Sequence, residues 1–123
     1  MKELLLVFVG GGCGSALRYF IGKQMNPNSV SFPWGTFTVN LIGSLIIGLV
    51  FGWILHKSKV SNDTVVLVVA GFCGGFTTFS AFAHESLTFL KSGQTSLFVT
   101  YVTSSIFLGL LFVWFGYIVI KQL

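Results

Sequence analysis

Residues 64–90 read TVVLVVAGFCGGFTTFSAFAHESLTFL, an apolar run that packs three glycines, two threonines and a serine around four phenylalanines between Gly71 and Phe82. As one continuous helix these 27 residues would extend roughly 40 Å, longer than the ~30 Å hydrocarbon core of a bilayer. A tilt or a break is needed. Gly74-Gly75 and Thr77-Thr78 are the place for a break, because glycine costs ~1 kcal/mol in a helix interior and an opened ladder frees backbone groups that hydrocarbon cannot pair. Broken helices persist in membranes where the backbone is buried in protein, lines water or binds an ion, so this run is expected to carry a site.

Working outward, the rest of the chain is equally apolar. Of 123 residues, 54% are hydrophobic and 8% charged, far from the roughly 25% charged residues of a soluble domain. Four segments are long enough to span a bilayer: Leu4 to Gly22, Trp34 to Leu55, Thr64 to Leu90 and Ser96 to Ile120. The connections, Lys23 to Pro33, His56 to Asp63 and Lys91 to Thr95, are too short to fold alone. One all-α membrane domain over residues 1–123 is the expected organisation. Lys2 followed by LLLVFVG imitates a secretory leader, and Cys13 after three glycines imitates a lipoprotein site. Both readings are set aside because everything downstream is itself membrane. Cys13 and Cys73 fall inside spans, where a thiol packs as a small apolar residue.

The formal net charge of +4 comes from basic residues scattered at helix ends, with no patch for phosphates, so nucleic acid is not an expected partner. With four spans, Lys2, Lys57, Lys59 and Lys121 share one side, and Arg18, Lys23 and Lys91 the other. A bias of four against three barely sets an orientation. Such a chain can insert both ways in membrane lipid, which would allow an antiparallel dimer in which every site occurs twice. No internal repeat supplies inverted topology within one copy.

Gly10-xxx-Gly14 in the first span and Ser44-xxx-Gly48-xxx-Gly52 in the second offer small faces for close helix packing. Asn26-Pro27-Asn28-Ser29 reads as a turn, and Pro33 before Trp34 as a helix start with an interfacial tryptophan. Phe79 and Phe82, three apart, share a helical face. They either pack or turn their positive ring edges into a narrow path that favours an anion. Phe89, nearer the end of the run, is expected to lie outside any such lining and to tolerate replacement. Thr36, Asn40 and Ser44 form a polar strip at i, i+4, i+8; Asn40 either bonds a neighbouring helix or offers its NH2 to a permeating ion. Ser80 extends the donor set unless it bonds its own backbone. Tyr101 and Ser105 make a further polar stripe. Arg18 either snorkels or marks the mouth of an anion path.

Hydrolase and metal chemistry find no support. Ser80 and His84 are i, i+4, but Glu85 projects about 100° from His84 and cannot orient it. His56, His84 and the distant cysteines have no metal-ligand spacing. No glycine loop is followed by the Lys-Ser/Thr of a phosphate site.

Two stretches together resemble the Fluc (CrcB) family of microbial fluoride channels: Pro33-Trp34-Gly35-Thr36-Phe37-Thr38-Val39-Asn40-Leu41-Ile42-Gly43, and Gly71 to Phe82 followed by His84-Glu85. Gly11-Gly12 and Leu17-Arg18 agree in the first span, and the resemblance covers the whole chain, most thinly in the fourth span. It implies an antiparallel, dual-topology homodimer with two pores. Phe79 and Phe82 would line each pore from opposite subunits, with Asn40 and Ser80 as pore polar groups. Backbone carbonyls of Gly74 and Thr77 would hold a central structural sodium ion (Na+) at the dimer interface. Arg18 would sit near the vestibule, Glu85 just past the aromatic pair, Tyr101 against a pore phenylalanine and Ser105 on a polar track. Where relatives often continue that track with serine, this chain has Gly109, and a turn later Val113. Thr103, Ser104 or water are the substitutes on offer.

The expected function is passive fluoride export across a microbial inner or plasma membrane. Fluoride enters as the acid and dissociates inside, and the membrane potential, ~2.3 kcal/mol per charge per 100 mV, drives the anion out through a selective pore. A few donors and aromatic edges must replace its hydration without binding it too tightly. The rival reading is a dual-topology, proton-coupled small multidrug transporter. That needs a membrane-embedded carboxylate in the first span, which offers only Glu3 at its extreme end.

Overall fold

The computed structural model describes residues 1–26, 31–57 and 60–123 and is helical in every regular element among them. Four helical rods are long and apolar enough to cross a membrane: Lys2–Met25, Trp34–His56, Asn62–Lys91 and Thr95–Gln122. Each extends a little past its sequence-based bounds, because polar ends such as Lys2, Lys23 and Lys91 complete the last turns at the interface instead of stopping the helix. The expected turn at Asn26-Pro27-Asn28-Ser29 is described only at Asn26, whose side chain accepts from Gly35 N–H at 2.7 Å. Lys59 also lies outside the described residues.

Helices α1 (Lys2–Met25) and α2 (Trp34–His56) are regular, and α2 starts directly after Pro33. The third rod is composite. It comprises α3 (Asn62–Val65), a π-helical stretch over Val66–Cys73, α4 (Gly74–Phe76) and α5 (Phe79–Lys91). Between α4 and α5, Thr77 (φ −82°, ψ 158°) and Thr78 (φ −150°, ψ 118°) carry extended backbone. Gly74 and Gly75 themselves fall on helical residues. The π-helical stretch has no signature in the sequence; its widened turns meet α1 through Gly71. The last rod is α6 (Thr95–Gln122).

Two tight seams organise the bundle, and glycine makes both. In the first, α1 lies on the third rod so closely that a Cβ added at Gly10 would fall 2.4 Å from the Leu67 carbonyl oxygen, and one at Gly14 2.2 Å from that of Phe72. The Lys2–Asp63 ion pair and the Asn62–Glu3 hydrogen bond (2.9 Å) tie the two starts together, so these rods run parallel. In the second seam, a Cβ at Gly48 would reach 2.1 Å from the Val113 carbonyl oxygen, and one at Gly116 2.6 Å from that of Leu45. His56 and Tyr117 meet at 3.1 Å at the far end, so α2 and α6 also run parallel. Without a hydrophobic force between helices in lipid, such close backbone approach supplies the association energy through dispersion.

Candidate functional site

The extended pair Thr77–Thr78 is held by a single amide. Asn40 Oδ1 accepts from Thr78 N–H at 2.8 Å and Asn40 Nδ2 donates to the Thr78 carbonyl at 3.2 Å. A flipped amide would set like groups against each other at both contacts, so the orientation is decided by the network. Asn40 does for Thr78 what a neighbouring backbone would do, and two polar groups that would each cost several kcal/mol in hydrocarbon are paired. Among the described residues, the second hydrogen of its NH2 group has no acceptor.

The same arrangement frees two carbonyls. In a regular helix Gly74 C=O would accept from Thr78 N–H and Thr77 C=O from Ala81 N–H. Here Thr78 N–H goes to Asn40, and Ala81 N–H goes to Thr78 Oγ1 at 3.2 Å, as the N-cap of α5. Thr77 N–H and Thr77 Oγ1 both donate to the Cys73 carbonyl, at 2.9 and 2.8 Å. The Gly75 carbonyl has found side chains instead: Arg18 Nε donates to it at 2.9 Å and Ser15 Oγ at 3.3 Å. Arg18 is therefore a cross-brace between α1 and α4. It also lines a cavity of about 390 Å³ with Tyr19, Lys23, Thr36 and Thr78.

Just beyond the extended pair, Phe79 stands 80% exposed on the surface of the chain, while Phe82 is half-buried, their ring centroids 5.8 Å apart. Ser80 is exposed, its Oγ 3.2 Å from Thr78 Oγ1. Both rings face a groove of about 320 Å³, which Asn40, Ser44, Thr77, Thr78 and Ser105 also line. Ser105 Oγ is buried there and has no hydrogen-bond partner among the described residues.

Behind Phe82 lies a carboxylate with two hydroxyl donors. Glu85 accepts from Thr36 Oγ1 and from Tyr101 OH, each at 2.6 Å. Tyr101 is fully buried, its ring 5.1 Å from Phe82 and edge-on to Phe32 and Phe89 at 5.3 and 6.0 Å. Three elements, α2, α5 and α6, thus meet at one acidic side chain. Its hydrogen bonds go to Thr36 and Tyr101, while Ser80 pairs with Thr78, so Ser80, His84 and Glu85 form no hydrolytic relay. The sequence reading placed Thr36 on the polar strip of Asn40 but missed that it serves Glu85. An acidic residue inside an apolar run needs donors, and hydroxyls on neighbouring spans were the available signal.

Gly109 and Val113 differ from each other. A Cβ at Gly109 would meet Ser44 Oγ at 3.8 Å, an ordinary contact, whereas the Val113 backbone is pressed against Gly48. Thr103 and Ser104, the substitutes considered on α6, bond back to their own helix at the Val99 and Thr100 carbonyls, at 2.6 and 2.5 Å.

Comparison with known proteins matches the chain along nearly its whole length. The family described as CrcB-like protein, Camphor Resistance (CrcB) matches residues 5–117. A Phocaeicola vulgatus protein named fluoride-specific ion channel FluC is 47% identical over 117 residues, covering 94% of this chain and 96% of its own. A protein of the same name from Flavobacterium psychrophilum is 40% identical over 124 residues, and one from Aquifex aeolicus 37% identical over 124, each covering 100% of both chains. Matched over nearly every residue of its four apolar helices, the chain belongs to the CrcB family.

Proposed function

We propose that the protein is a fluoride-selective channel of the cell membrane, a multi-pass passive exporter rather than an enzyme or a proton-coupled transporter. The relatives' shared name supports the ion. The observation that carries the mechanism is the groove in which Phe79, Phe82, the spare Asn40 N–H and Ser105 Oγ come together beside the extended pair. Thr77–Thr78 acts as a mid-membrane break in the third helix, and all 123 residues form one channel domain. Fluoride sheds water at the groove and is met by donors and ring edges, while Tyr101, held by Glu85, fixes the attitude of Phe82. Efflux of fluoride from liposomes holding the purified protein tests the reading; vesicles that retain fluoride as well as protein-free ones refute it.

The functional unit is an antiparallel homodimer with two pores. Phe79 projects from the chain's own surface, which suits a ring that completes its pore against a second copy. The near-balanced basic residues suit dual topology. A C-terminal reporter active on one side only is expected to reveal both orientations in comparable amounts. Adding two or three lysines to one side is expected to bias them, and a single orientation in the parent would exclude the antiparallel dimer.

A structural sodium ion at the dimer interface fits the residues present, because Gly74 and Thr77 have carbonyls whose helical donors are spent elsewhere and Gly74 lies exposed. Such an ion supplies positive charge that satisfies those oxygens and joins the two copies. A side chain at Gly74 has room within one chain, its nearest neighbour being the Val69 carbonyl oxygen at 3.9 Å. Gly74→Val is therefore expected to leave the protomer folded yet abolish dimerisation, as read by crosslinking, whereas Thr77→Val keeps the backbone ligand and loses less. Equal loss from both would argue for a side-chain site.

A further inference from the structure

We infer that Ser44, on α2, supplies the hydroxyl that α6 lacks at Gly109, and so forms with Ser105 a two-helix rung of the anion path. The inference rests on the fluoride-channel reading and adds a residue to it. Hydroxyls in membrane helices usually bond their own backbone. Thr77, Ser86, Thr88, Ser92, Thr103 and Ser104 all do so here. Ser44 and Ser105 do not: neither hydroxyl has a hydrogen bond among the described residues, and both line the groove that holds Phe79 and Phe82.

Position and spacing complete the case. Ser44 follows Asn40 by one turn, so its hydroxyl is the next donor along the same face of α2. Across the seam, the Ser44 oxygen stands 3.8 Å from where a Gly109 side chain would begin. The hydroxyl thus reaches the place that a residue at 109 would occupy, and the missing α6 group is replaced from the opposite helix. One turn further, at Gly48 and Val113, the backbones touch and leave no space for a polar group between them. Ser44 is accordingly the last donor before the seam closes, and Val113 removes nothing from the path on this side.

A hydroxyl that donates to an ion should cost about tenfold or more in rate when removed. Fluoride efflux is measured from liposomes at equal reconstituted dimer for the parent, Ser44→Ala, Ser104→Ala and Ser44→Ala/Gly109→Ser. The expected result is a fall of about tenfold for Ser44→Ala, parent-like flux for the self-bonded Ser104→Ala, and substantial recovery when Gly109→Ser returns a hydroxyl from the other side. Alanine suits a helix, and recovery by the double variant would show that any loss was not misfolding. Parent-like flux in Ser44→Ala, or loss without recovery in the double variant, overturns the role of Ser44 alone. A parent that carries no fluoride overturns the channel reading as well.

Discussion

Phe79→Ile and Phe82→Ile are each expected to cut fluoride efflux about tenfold or more, equivalent to at least ~1.4 kcal/mol on the barrier, with the protein still folded and inserted. Isoleucine keeps apolar bulk but removes the positive ring edge, so only an anion-lining role predicts a severe loss. If the rings merely pack, a volume-conserving change costs less than ~1.5 kcal/mol of stability and transport persists. Phe79 is the cleaner probe, being 80% exposed in the chain, where it has little packing to lose within one copy. Phe89, expected from sequence to tolerate replacement, does not serve as the control. It is 2% exposed and sits edge-on to Tyr101, so changing it would disturb the ring that supports Phe82. Phe107, 64% exposed on α6, is the suitable comparison. Efflux at equal reconstituted protein decides the matter: parent-like flux in both Phe79→Ile and Phe82→Ile would exclude the aromatic lining.

Gly14→Ala is expected to be the most damaging single methyl in the protein's first seam. The new carbon would lie 2.2 Å from the Phe72 carbonyl oxygen and 2.8 Å from Phe76 N, both backbone atoms that cannot swing aside. Helix α1 would have to back away from the third rod, loosening the Arg18 and Ser15 bonds to Gly75 that depend on this approach. Overpacking costs ~1–3 kcal/mol where side chains yield, and a backbone clash belongs at or above the upper end. Gly12→Ala is the counterpart, since nothing lies within 4 Å of its added carbon and alanine favours helix. Thermal midpoint and monodispersity in detergent are expected to fall sharply for Gly14→Ala and to hold for Gly12→Ala. Equal behaviour would mean that the close seam is not a principal source of stability.

Both expectations join features that differ in how far they could be read in advance. The four spans and the small faces were legible, because a bilayer demands about 20 apolar residues per crossing and close packing demands missing side chains. Thr77-Thr78 was marked as a place where helical pairing would give way, although Gly74 and Gly75, suspected beside it, remain helical. Glycine permits departure from a helix without enforcing it. Enforcement came from Asn40, whose amide captures both backbone groups of Thr78 from another rod.

What the sequence by itself determined, then, was periodicity, length and the inventory of polar groups inside apolar runs, since these follow from local geometry and from the cost of crossing hydrocarbon. Which polar group met which was decided only in three dimensions. Two readings of Asn40 stood side by side along the chain, a bond to a neighbouring helix and a donor for an ion, and the structure shows its amide bonded to both backbone groups of Thr78 while the residue also lines the groove. Arg18 chose the Gly75 carbonyl, Glu85 drew donors from Thr36 and Tyr101, and Ser44 came to face Gly109. Those partners lie 16 to 65 residues apart. A hydrogen bond acts over about 3 Å, so such pairings depend on the packing of whole helices and leave no periodic trace in sequence.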